Sequence, residues 1–307
     1  MNLLRSTILS ILMIAFLIGC ESSTSASSDS SSSVASSSSS VVKSSSSSAK
    51  SSSSEAMSSS SSAKSSSSEA MSSSSSAKSS SSNAISSSSS SSIVYSTIKD
   101  ARDNQTYRIV TIGSQTWMAE NLKYLPSVVR PVTGSKTTPH YYVYGYDGTN
   151  VTDAKATANY NTYGVLYNWP AAMNGAASST TNPSGVQGVC PDGWHLPSDA
   201  EWTELTDYLG GTIDAGGKLK ATGTIEAGTG LWYDLNTGAT NETGFTALPG
   251  GGRNYNGSFY NIGGRGYWWS ATEYKYNSSD ACLRSTGYSR SNVDSDDLSK
   301  ELGFSVR

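Results

Sequence analysis

This chain has few residues of the types that most often catalyse reactions or bind metal ions. It has two histidines, His140 and His195, and three cysteines, Cys20, Cys190 and Cys282. Zinc sites of the common kind draw four ligands from such residues at close spacing, so a His/Cys metal site is not expected. No Gly-x-Ser-x-Gly segment occurs, and a serine hydrolase therefore has no visible nucleophile. His195 lies inside a turn-and-helix corner, where we interpret it as structural.

Carboxylates are the other candidates for catalysis. Glu201 with Glu204, or Glu242 with Glu273, could be chosen as the acid and base of a glycoside hydrolase. Such pairs can be found in any chain with 24 acidic residues, so they carry little weight. Glu201 has a better explanation, because the segment from Ser198 to Glu201 (SDAE) is a capping box in which each side chain satisfies the other residue's amide. The sequence therefore favours a protein that is not an enzyme.

Aromatic side chains beside amides and an arginine are the strongest indication of binding. Sugar rings stack on exposed tryptophan and tyrosine faces, which combine an apolar body with a polar edge. The Gly-rich stretch 255–265 has this mixture, and an isolated tryptophan upstream is a further candidate. The candidate glycan-binding residues are Trp232, Tyr255, Asn256, Phe259, Tyr260, Asn261 and Arg265. The alternative is a packed loop with incidental tyrosines.

The other tryptophans in recognisable apolar motifs are predicted to be core residues. Large aromatic side chains bury much apolar area, and within such motifs burial is their usual role. These residues are Trp117, Trp194, Trp202, Trp268 and Trp269. They are expected to support the binding loop rather than to contact a ligand.

Short strands and one well-defined helix are predicted to position these groups. Thr106–Ile112 alternates apolar and polar β-formers, and 115–118 returns after a Gly-Ser turn. Ser198 caps a helix that begins at Asp199 and ends before Gly210-Gly211. The remaining predicted elements are a brief helix at 119–124, strands at 245–248, 253–259, 267–272, 280–284 and 303–307, and a Gly-rich turn at 249–252. The predicted fold class is α+β, with short antiparallel strands, one or two helices and long loops.

The first 20 residues are predicted to be a lipoprotein signal peptide. Arg5 precedes an apolar run, 11–18, that is too short to span a bilayer as a stable helix. The run ends in Leu-Ile-Gly-Cys, which resembles a bacterial lipobox and predicts lipidation at Cys20. We therefore expect a lipid-anchored protein in the bacterial cell envelope, at the outer membrane or cell surface.

Residues 21–92 are almost entirely serine, and the 14-residue unit SSSSEAMSSSSSAK occurs twice without change. Such a segment cannot bury enough apolar surface to offset the entropy of ordering its backbone, so we predict a disordered tether. The composition changes near Ile93, and residues 93–307 are predicted to form one domain. The formal net charge of the chain is −3, without a basic patch, so a nucleic-acid partner is not expected.

Cys190 and Cys282 are the two cysteines left if Cys20 carries lipid. Two cysteines in one exported domain could form a disulfide, because extracytoplasmic compartments are oxidising. Sequence does not place their Cα atoms, so a bridge and two separate thiols both stay open.

Six motifs, in order along residues 99–307, resemble the Fibrobacter succinogenes major paralogous domain family. They are IGSQTWMAENL (112–122), YGVLYNW (163–169), CPDGWHLPSDAEW (190–202), ALPGG (247–251), YWWSATE (267–273) and GFSVR (303–307). That family resembles the formylglycine-generating sulfatase-modifying fold in the segment 196–202, and more distantly the C-type lectin-like folds. The resemblance implies such a fold here, with the closing strand paired near the opening one.

The resemblance does not imply a mechanism. A thiol enzyme of the formylglycine type would need reactive cysteines in the C-terminal half, where only Cys282 lies. The Ca²⁺-binding signatures of lectins are missing, and a Ca²⁺ ion held by Asp234, Asp294 or Asp296 with loop carbonyls has no support in the sequence. No cofactor is therefore expected.

The sequence thus favours a non-catalytic recognition module tethered to the cell surface. Its expected partner is a polysaccharide or glycan, or next a surface protein, bound through the aromatic loops. We expect the protein to contact the membrane only through its lipid anchor. Two alternatives remain: an exported enzyme related to sulfatase-modifying proteins, and a structural lipoprotein of the envelope.

Overall fold

The computed structural model describes residues 92–307. The predicted signal peptide, the lipidation site at Cys20 and the serine-rich segment up to residue 91 lie outside the described residues. Within the described part of the chain, no helix has both the length and the apolar character needed to cross a membrane.

Ten strands and five short helices make up the described residues, which confirms the α+β class. The strands are β1 (Ser96–Lys99), β2 (Thr106–Ile112), β3 (Gln115–Met118), β4 (Tyr141–Tyr142), β5 (Leu166–Tyr167), β6 (Gly250–Arg253), β7 (Phe259–Ile262), β8 (Arg265–Glu273), β9 (Asp280–Gly287) and β10 (Asp294–Ser299). The helices are α1 (Val151–Lys155), α2 (Ala158–Tyr163), α3 (Trp169–Met173), α4 (Asp199–Tyr208) and α5 (Thr212–Leu219). Most of the remaining residues are in loops.

The strands form small antiparallel sheets rather than one large sheet. The first joins β1, β2 and β3, and the largest joins β8, β9 and β10 with β9 in the middle. β4 pairs with β5, and β6 pairs with β7. Strands β8 and β9 are buried along nearly their whole length. The central hairpin is therefore covered on both faces by the loops and helices around it.

The closing segment 303–307 links several of these sheets. Phe304 exchanges backbone hydrogen bonds with Tyr167 of β5, and Ser305 bridges to β8. The amide of Leu122, four residues beyond β3, donates to the carbonyl oxygen of Val306 at 2.9 Å. The closing segment thus lies beside the chain that follows the first sheet, whereas the first sheet itself pairs only among β1, β2 and β3.

The main apolar cluster of the domain includes Tyr167, Trp269 and Phe304. Four aromatic rings form the centre of a second apolar cluster beneath α4. Trp202 of α4 lies with its ring centroid 4.6 Å from Trp117 of β3, 6.1 Å from Phe245 and 6.4 Å from Trp268 of β8. All four side chains are buried. Helix α4 is held to both sheets by these contacts, because ring pairs at such distances combine area burial with favourable edge and tilted geometry.

Several predicted elements are wrong, and packing explains two of the differences. Residues 119–124 are not helical, because the backbone of Leu122 hydrogen-bonds to the closing segment instead. The segment 245–248 contains one isolated bridge rather than a strand. Gly250–Arg253 is a buried strand rather than a turn, and the residues after it turn before β7. The glycines of β6 allow close packing: a Cβ at Gly252 would lie 2.7 Å from the ring of Phe304.

Cys190 and Cys282 are two separate buried thiols, so the possible disulfide is not formed in this structure. Cys190 lies in the turn before Trp194 and packs in the main apolar cluster. Cys282 lies in the middle of β9, opposite Asp297 of β10. Cys190 is held in a turn and Cys282 in a strand, so different backbone hydrogen bonds fix the positions of the two thiols.

Candidate functional site

Trp232, a predicted ligand contact, is wholly buried with 0% of its surface exposed. Its indole Nε1 donates to the carbonyl oxygen of Ala247 at 3.1 Å, and the ammonium group of Lys220 lies 5.4 Å from its ring. A residue with both its ring and its polar atom enclosed cannot stack on a sugar. The prediction that Trp232 contacts a glycan is therefore wrong.

The other predicted loop residues are split between the two ends of the β6–β7 hairpin. Tyr255, which is 67% exposed, and Asn256, also exposed, lie in the turn between β6 and β7. Asn261 and Arg265 lie at the opposite end, where β7 turns into β8. The four residues of β7 place these ends about 13 Å apart. The structure therefore does not gather the predicted residues into one site.

Tyr260 and Phe259 lie in β7 itself and are half-buried. The Tyr260 ring packs 5.8 Å from the ring of Tyr267, and burial raises the pKa of its hydroxyl. The ring of Phe259 lies 5.0 Å from that of Tyr144. For these two residues the packed-loop alternative describes the structure better than ligand contact does.

An aromatic surface does occur one residue away from the predicted tryptophan. Tyr233 is 42% exposed, and its ring meets that of the half-buried Tyr288 edge to face at 5.7 Å. The amide of Tyr233 donates to Gly263 and that of Tyr288 to Gly264, so one turn fixes both tyrosines. We call Tyr233 and Tyr288 the tyrosine rim.

Polar groups and small residues surround the tyrosine rim. Arg265 follows the same turn and donates to Asp294 at 2.6 Å, while the exposed Asn261 donates to Tyr267 at 2.7 Å. Gly263 has φ of +77°, and a Cβ there would lie 2.9 Å from the Tyr233 ring. The glycine thus allows the ring to lie directly on the turn. The rim therefore has the combination of apolar ring faces and fixed polar groups that suits a sugar.

A separate cleft of about 380 Å³ lies near the N-terminus of α4. Its walls include the β2–β3 turn at Ser114, the start of β3 at Gln115, the loop at Asn182, and the corner with Trp194 and His195. Glu201 and Glu204 of α4 also line it. Trp194 is half-buried and packs on the main apolar cluster, so only part of its surface faces solvent.

Glu201 is both the capping residue predicted from the sequence and a side chain of the cleft. Its Oε2 accepts from the amides of Ser198 at 2.9 Å and Ser184 at 3.0 Å, while the Ser198 hydroxyl accepts from the Glu201 amide. The capping box is confirmed. The other oxygen, Oε1, lies 2.6 Å from Nε2 of His195, whose side chain is 40% exposed.

The His195–Glu201 contact shifts both groups toward their charged forms. The hydrogen bond with Glu201 raises the pKa of His195, outweighing the effect of partial burial. Burial alone would raise the pKa of Glu201, but the hydrogen bonds from His195, Ser198 and Ser184 together lower it. His195 is thus held at the edge of the cleft by a carboxylate that also caps α4.

Glu204 differs from Glu201 in being only half-buried and in having no basic partner among residues 92–307. The hydroxyl of Ser114 donates to one carboxylate oxygen, and the amide of Asn182 donates to the other at 2.6 Å. These hydrogen bonds lower the pKa of Glu204. The carboxylate is therefore ionised at neutral pH and oriented by neutral donors.

No group of three or more His, Cys, Asp or Glu side chains that could hold a metal ion occurs in the described part of the chain. Of the aspartates considered for Ca²⁺, Asp294 accepts from Arg265 and Asn292, and Asp296 accepts from Ser285. Asp234 is exposed in the loop after Tyr233. Asp294 and Asp296 are thus already engaged by protein donors within residues 92–307.

A family profile described as the Fibrobacter succinogenes major domain matches residues 110–307. The chain belongs to this family. The match covers more than half of the chain and confirms the resemblance carried by the six sequence motifs. Neither curated proteins nor solved structures provide a match to the chain.

Three motifs of the Fibrobacter succinogenes major domain meet at the cleft. The β2–β3 turn belongs to the first motif, the corner with Trp194 and His195 to the third, and Arg307 to the last. Arg307 is buried and donates through Nε to Asn121 at 2.9 Å and through Nη2 to Thr246 at 2.8 Å. Segments far apart in sequence thus build one concave surface.

Sequence reasoning missed the tyrosine rim and the polar wall of the cleft. Tyr233 follows the predicted Trp232 directly. Neighbouring residues of an extended segment point to opposite sides, so a prediction that buried Trp232 would have placed Tyr233 at the surface. Ser114 and Asn182 gave no signal, because their roles depend on Glu204, which is distant in sequence.

Proposed function

We propose that this chain is a surface-tethered, non-catalytic recognition module that binds a polysaccharide or glycan. The observation that carries the proposal is the tyrosine rim: two tyrosine rings held edge to face on one glycine turn, beside Asn261 and the Arg265–Asp294 pair. Aromatic faces next to fixed amide and charged groups suit the apolar faces and hydroxyl groups of sugars.

In this proposal each of the three parts of the chain has its own role. Lipid on Cys20 anchors the protein in the bacterial envelope, and the serine-rich segment 21–92 acts as a tether. Residues 93–307 form a lectin-like scaffold that presents the binding surface. The tether allows the domain to reach ligands at some distance, since a flexible segment of n residues spans roughly 5–6 Å × √n.

A thiol-based enzyme related to sulfatase-modifying proteins is the less favoured function. Burial raises the pKa of the Cys190 thiol to about 12, so its thiolate is scarce at neutral pH. Cys282 lies buried in the central strand β9 rather than in the cleft. These features support recognition over thiol chemistry.

The test is binding of the purified chain to a panel of insoluble polysaccharides and immobilised glycans, with and without Ca²⁺. Tyr233→Ala and Tyr288→Ala are expected to weaken saturable binding by about tenfold or more, as loss of a stacking face should. Tyr276→Ala is the matched control, because Tyr276 is 74% exposed and lies between β8 and β9.

Two outcomes would contradict the proposal. Unchanged binding by both rim variants would remove the rim as the site, and a variant at Tyr255 would then test the other end of the hairpin. No binding across the panel would reject glycan recognition and favour a protein partner or a structural role.

A further inference from the structure

We propose that the cleft at the N-terminus of α4 is a second binding site, for a sugar that carries a primary ammonium group, with Glu204 as its anionic partner and Trp194 as its stacking face. The site is distinct from the tyrosine rim. The rim adjoins Arg265 at the start of β8, whereas Ala271, near the other end, hydrogen-bonds to Pro197 of the cleft wall. The step of six positions from Arg265 to Ala271 separates the two surfaces by about 20 Å.

The size and shape of the cleft suit a small polar ligand. Its volume of about 380 Å³ falls within the range of about 300–1,000 Å³ typical of small-molecule sites. Hydroxyl and amide groups of Ser114, Gln115, Thr116 and Asn182 line it from two sides. A sugar ring with hydroxyl groups on several edges can use donors and acceptors spread in this way.

Glu204 supplies a negative charge that the protein leaves without a basic partner in the described residues. Each carboxylate oxygen already accepts one neutral donor, from Ser114 or Asn182, so the group is held in place while keeping capacity for another hydrogen bond. The neighbouring carboxylate, Glu201, is engaged by His195 and two backbone amides. An ammonium donor would therefore bind at Glu204 rather than at Glu201.

Trp194 adds the apolar face that a sugar ring needs. Its side chain packs against the core on one side and borders the cleft on the other. A cation near an indole ring is attracted by the ring's quadrupole, and the flat indole also stacks on the apolar face of a pyranose. This pairing of indole and carboxylate, together with the polar walls, favours an amino sugar over the flexible aliphatic side chain of lysine.

The experiment is calorimetric titration of the purified full-length chain with a glucosamine hexasaccharide, at a mildly acidic pH that keeps the amines protonated. Its fully N-acetylated counterpart has the same ring skeleton without the charge. We expect saturable binding of the amine form, with at least about tenfold weaker binding of the acetylated form. A lysine hexapeptide in a third titration separates amino sugar from peptide amine.

Variants test each half of the assignment. Glu204→Gln should weaken amine binding at least about tenfold and abolish its salt dependence, whereas Glu226→Gln, the same change at an exposed site elsewhere, should not. Trp194→Leu keeps an apolar group on the core but removes the flat ring, and it should also weaken binding. Tyr233→Ala should leave the preference for the amine form over the acetylated form intact, because any rim binding is shared by both hexasaccharides, so failure of the rim and failure of the cleft are distinguishable.

Three results would overturn the inference. Equal binding of the two hexasaccharides would remove the ammonium group from recognition. Unchanged affinity in Glu204→Gln with retained circular dichroism would remove Glu204 from the site. Binding of the lysine peptide without binding of the amino sugar would replace the sugar assignment by a protein ligand.

Discussion

A few charged side chains in this domain are buried and enclosed by hydrogen bonds rather than left to solvent. Lys220 is fully buried and donates from Nζ to the carbonyl oxygens of Thr237 at 2.9 Å, Gly287 at 3.0 Å and Arg290 at 2.8 Å. Burial lowers its pKa to about 8, so the ammonium form still predominates at neutral pH. One side chain thus fastens the loop at Thr237 to the end of β9 and to the turn that follows it, next to Trp232.

Lys220→Met is expected to destabilise the domain. The change leaves three buried carbonyl groups without their charged donor. This loss exceeds the gain from no longer burying a charge, so we expect the free energy of unfolding to fall by about 2 kcal/mol. Urea unfolding followed by tryptophan fluorescence measures it. Lys136→Met, at an exposed lysine, is the control, and equal midpoints for the two variants would show that the Lys220 contacts add nothing.

The His195–Glu201 contact predicts a defined pH dependence of stability. The folded-state pKa of His195 is raised above 6.5. Its contribution to the free energy of unfolding is therefore complete below about pH 6.5 and is lost as pH rises through the folded-state pKa. The folded-state pKa of Glu201 is lowered below 4.5, so its contribution is present above about pH 4.5 and is lost as pH falls through the folded-state pKa.

His195→Gln should therefore flatten the loss of stability between mildly acidic and neutral pH, measured as the urea midpoint at a series of pH values. His140→Gln is an informative contrast, because burial lowers the pKa of His140 and gives its contribution the opposite sign. An unchanged pH profile in His195→Gln would show that the contact with Glu201 is not maintained in solution.

At the scale of elements, α4 is the helix whose ends and buried face follow most directly from sequence. The capping box begins it after Ser198, and it ends before Gly210 and Gly211, both with positive φ. Its buried face, including Trp202 and Leu205, fits the predicted helical spacing. Local chemistry and core packing agree here, which is why the prediction is correct.

Ser198→Ala should destabilise the domain by about 1 kcal/mol, because the amide of Glu201 loses its acceptor at 3.2 Å. Thermal unfolding measured by circular dichroism checks this expectation. Ser289→Ala replaces an exposed serine that lies outside the helices and strands, and it should leave the melting temperature unchanged. A drop as large in the Ser289 variant would contradict the capping explanation.

Other elements could not be assigned from local sequence. The glycines of β6 are the residues a turn would use, yet here they permit contact with Phe304, more than 50 positions away. Residues 119–124 have weak helical character that is overridden when Leu122 pairs with Val306. In both places the deciding partner lies in the closing segment.

At the scale of the whole domain, the closing segment holds distant parts together. The Phe304 ring lies 4.8 Å from both Tyr267 and Trp269, and its backbone pairs with Tyr167. Phe304→Ala is expected to destabilise the domain by about 3–5 kcal/mol, through lost burial and the cavity left behind. Phe259→Ala, at a half-buried ring, should cost clearly less.

Denaturant unfolding with both fluorescence and far-ultraviolet circular dichroism tests that expectation. Coincident transitions at a lower midpoint are expected for Phe304→Ala, since its contacts connect β5 and β8. A small loss of stability confined to one probe would show that the closing segment is an independent local element.

The α+β class, strand β2, the capped helix α4 and the burial of most motif tryptophans could be predicted from local periodicity, capping and apolar patterning. The family followed from the resemblance of the six motifs. The surfaces could not be predicted in this way, because they depend on how the domain folds. The tertiary structure buried Trp232 and exposed Tyr233, separated Tyr255 from Arg265, and brought Ser114 and Asn182 to Glu204. These outcomes depend on contacts between residues far apart in sequence, which no local pattern records.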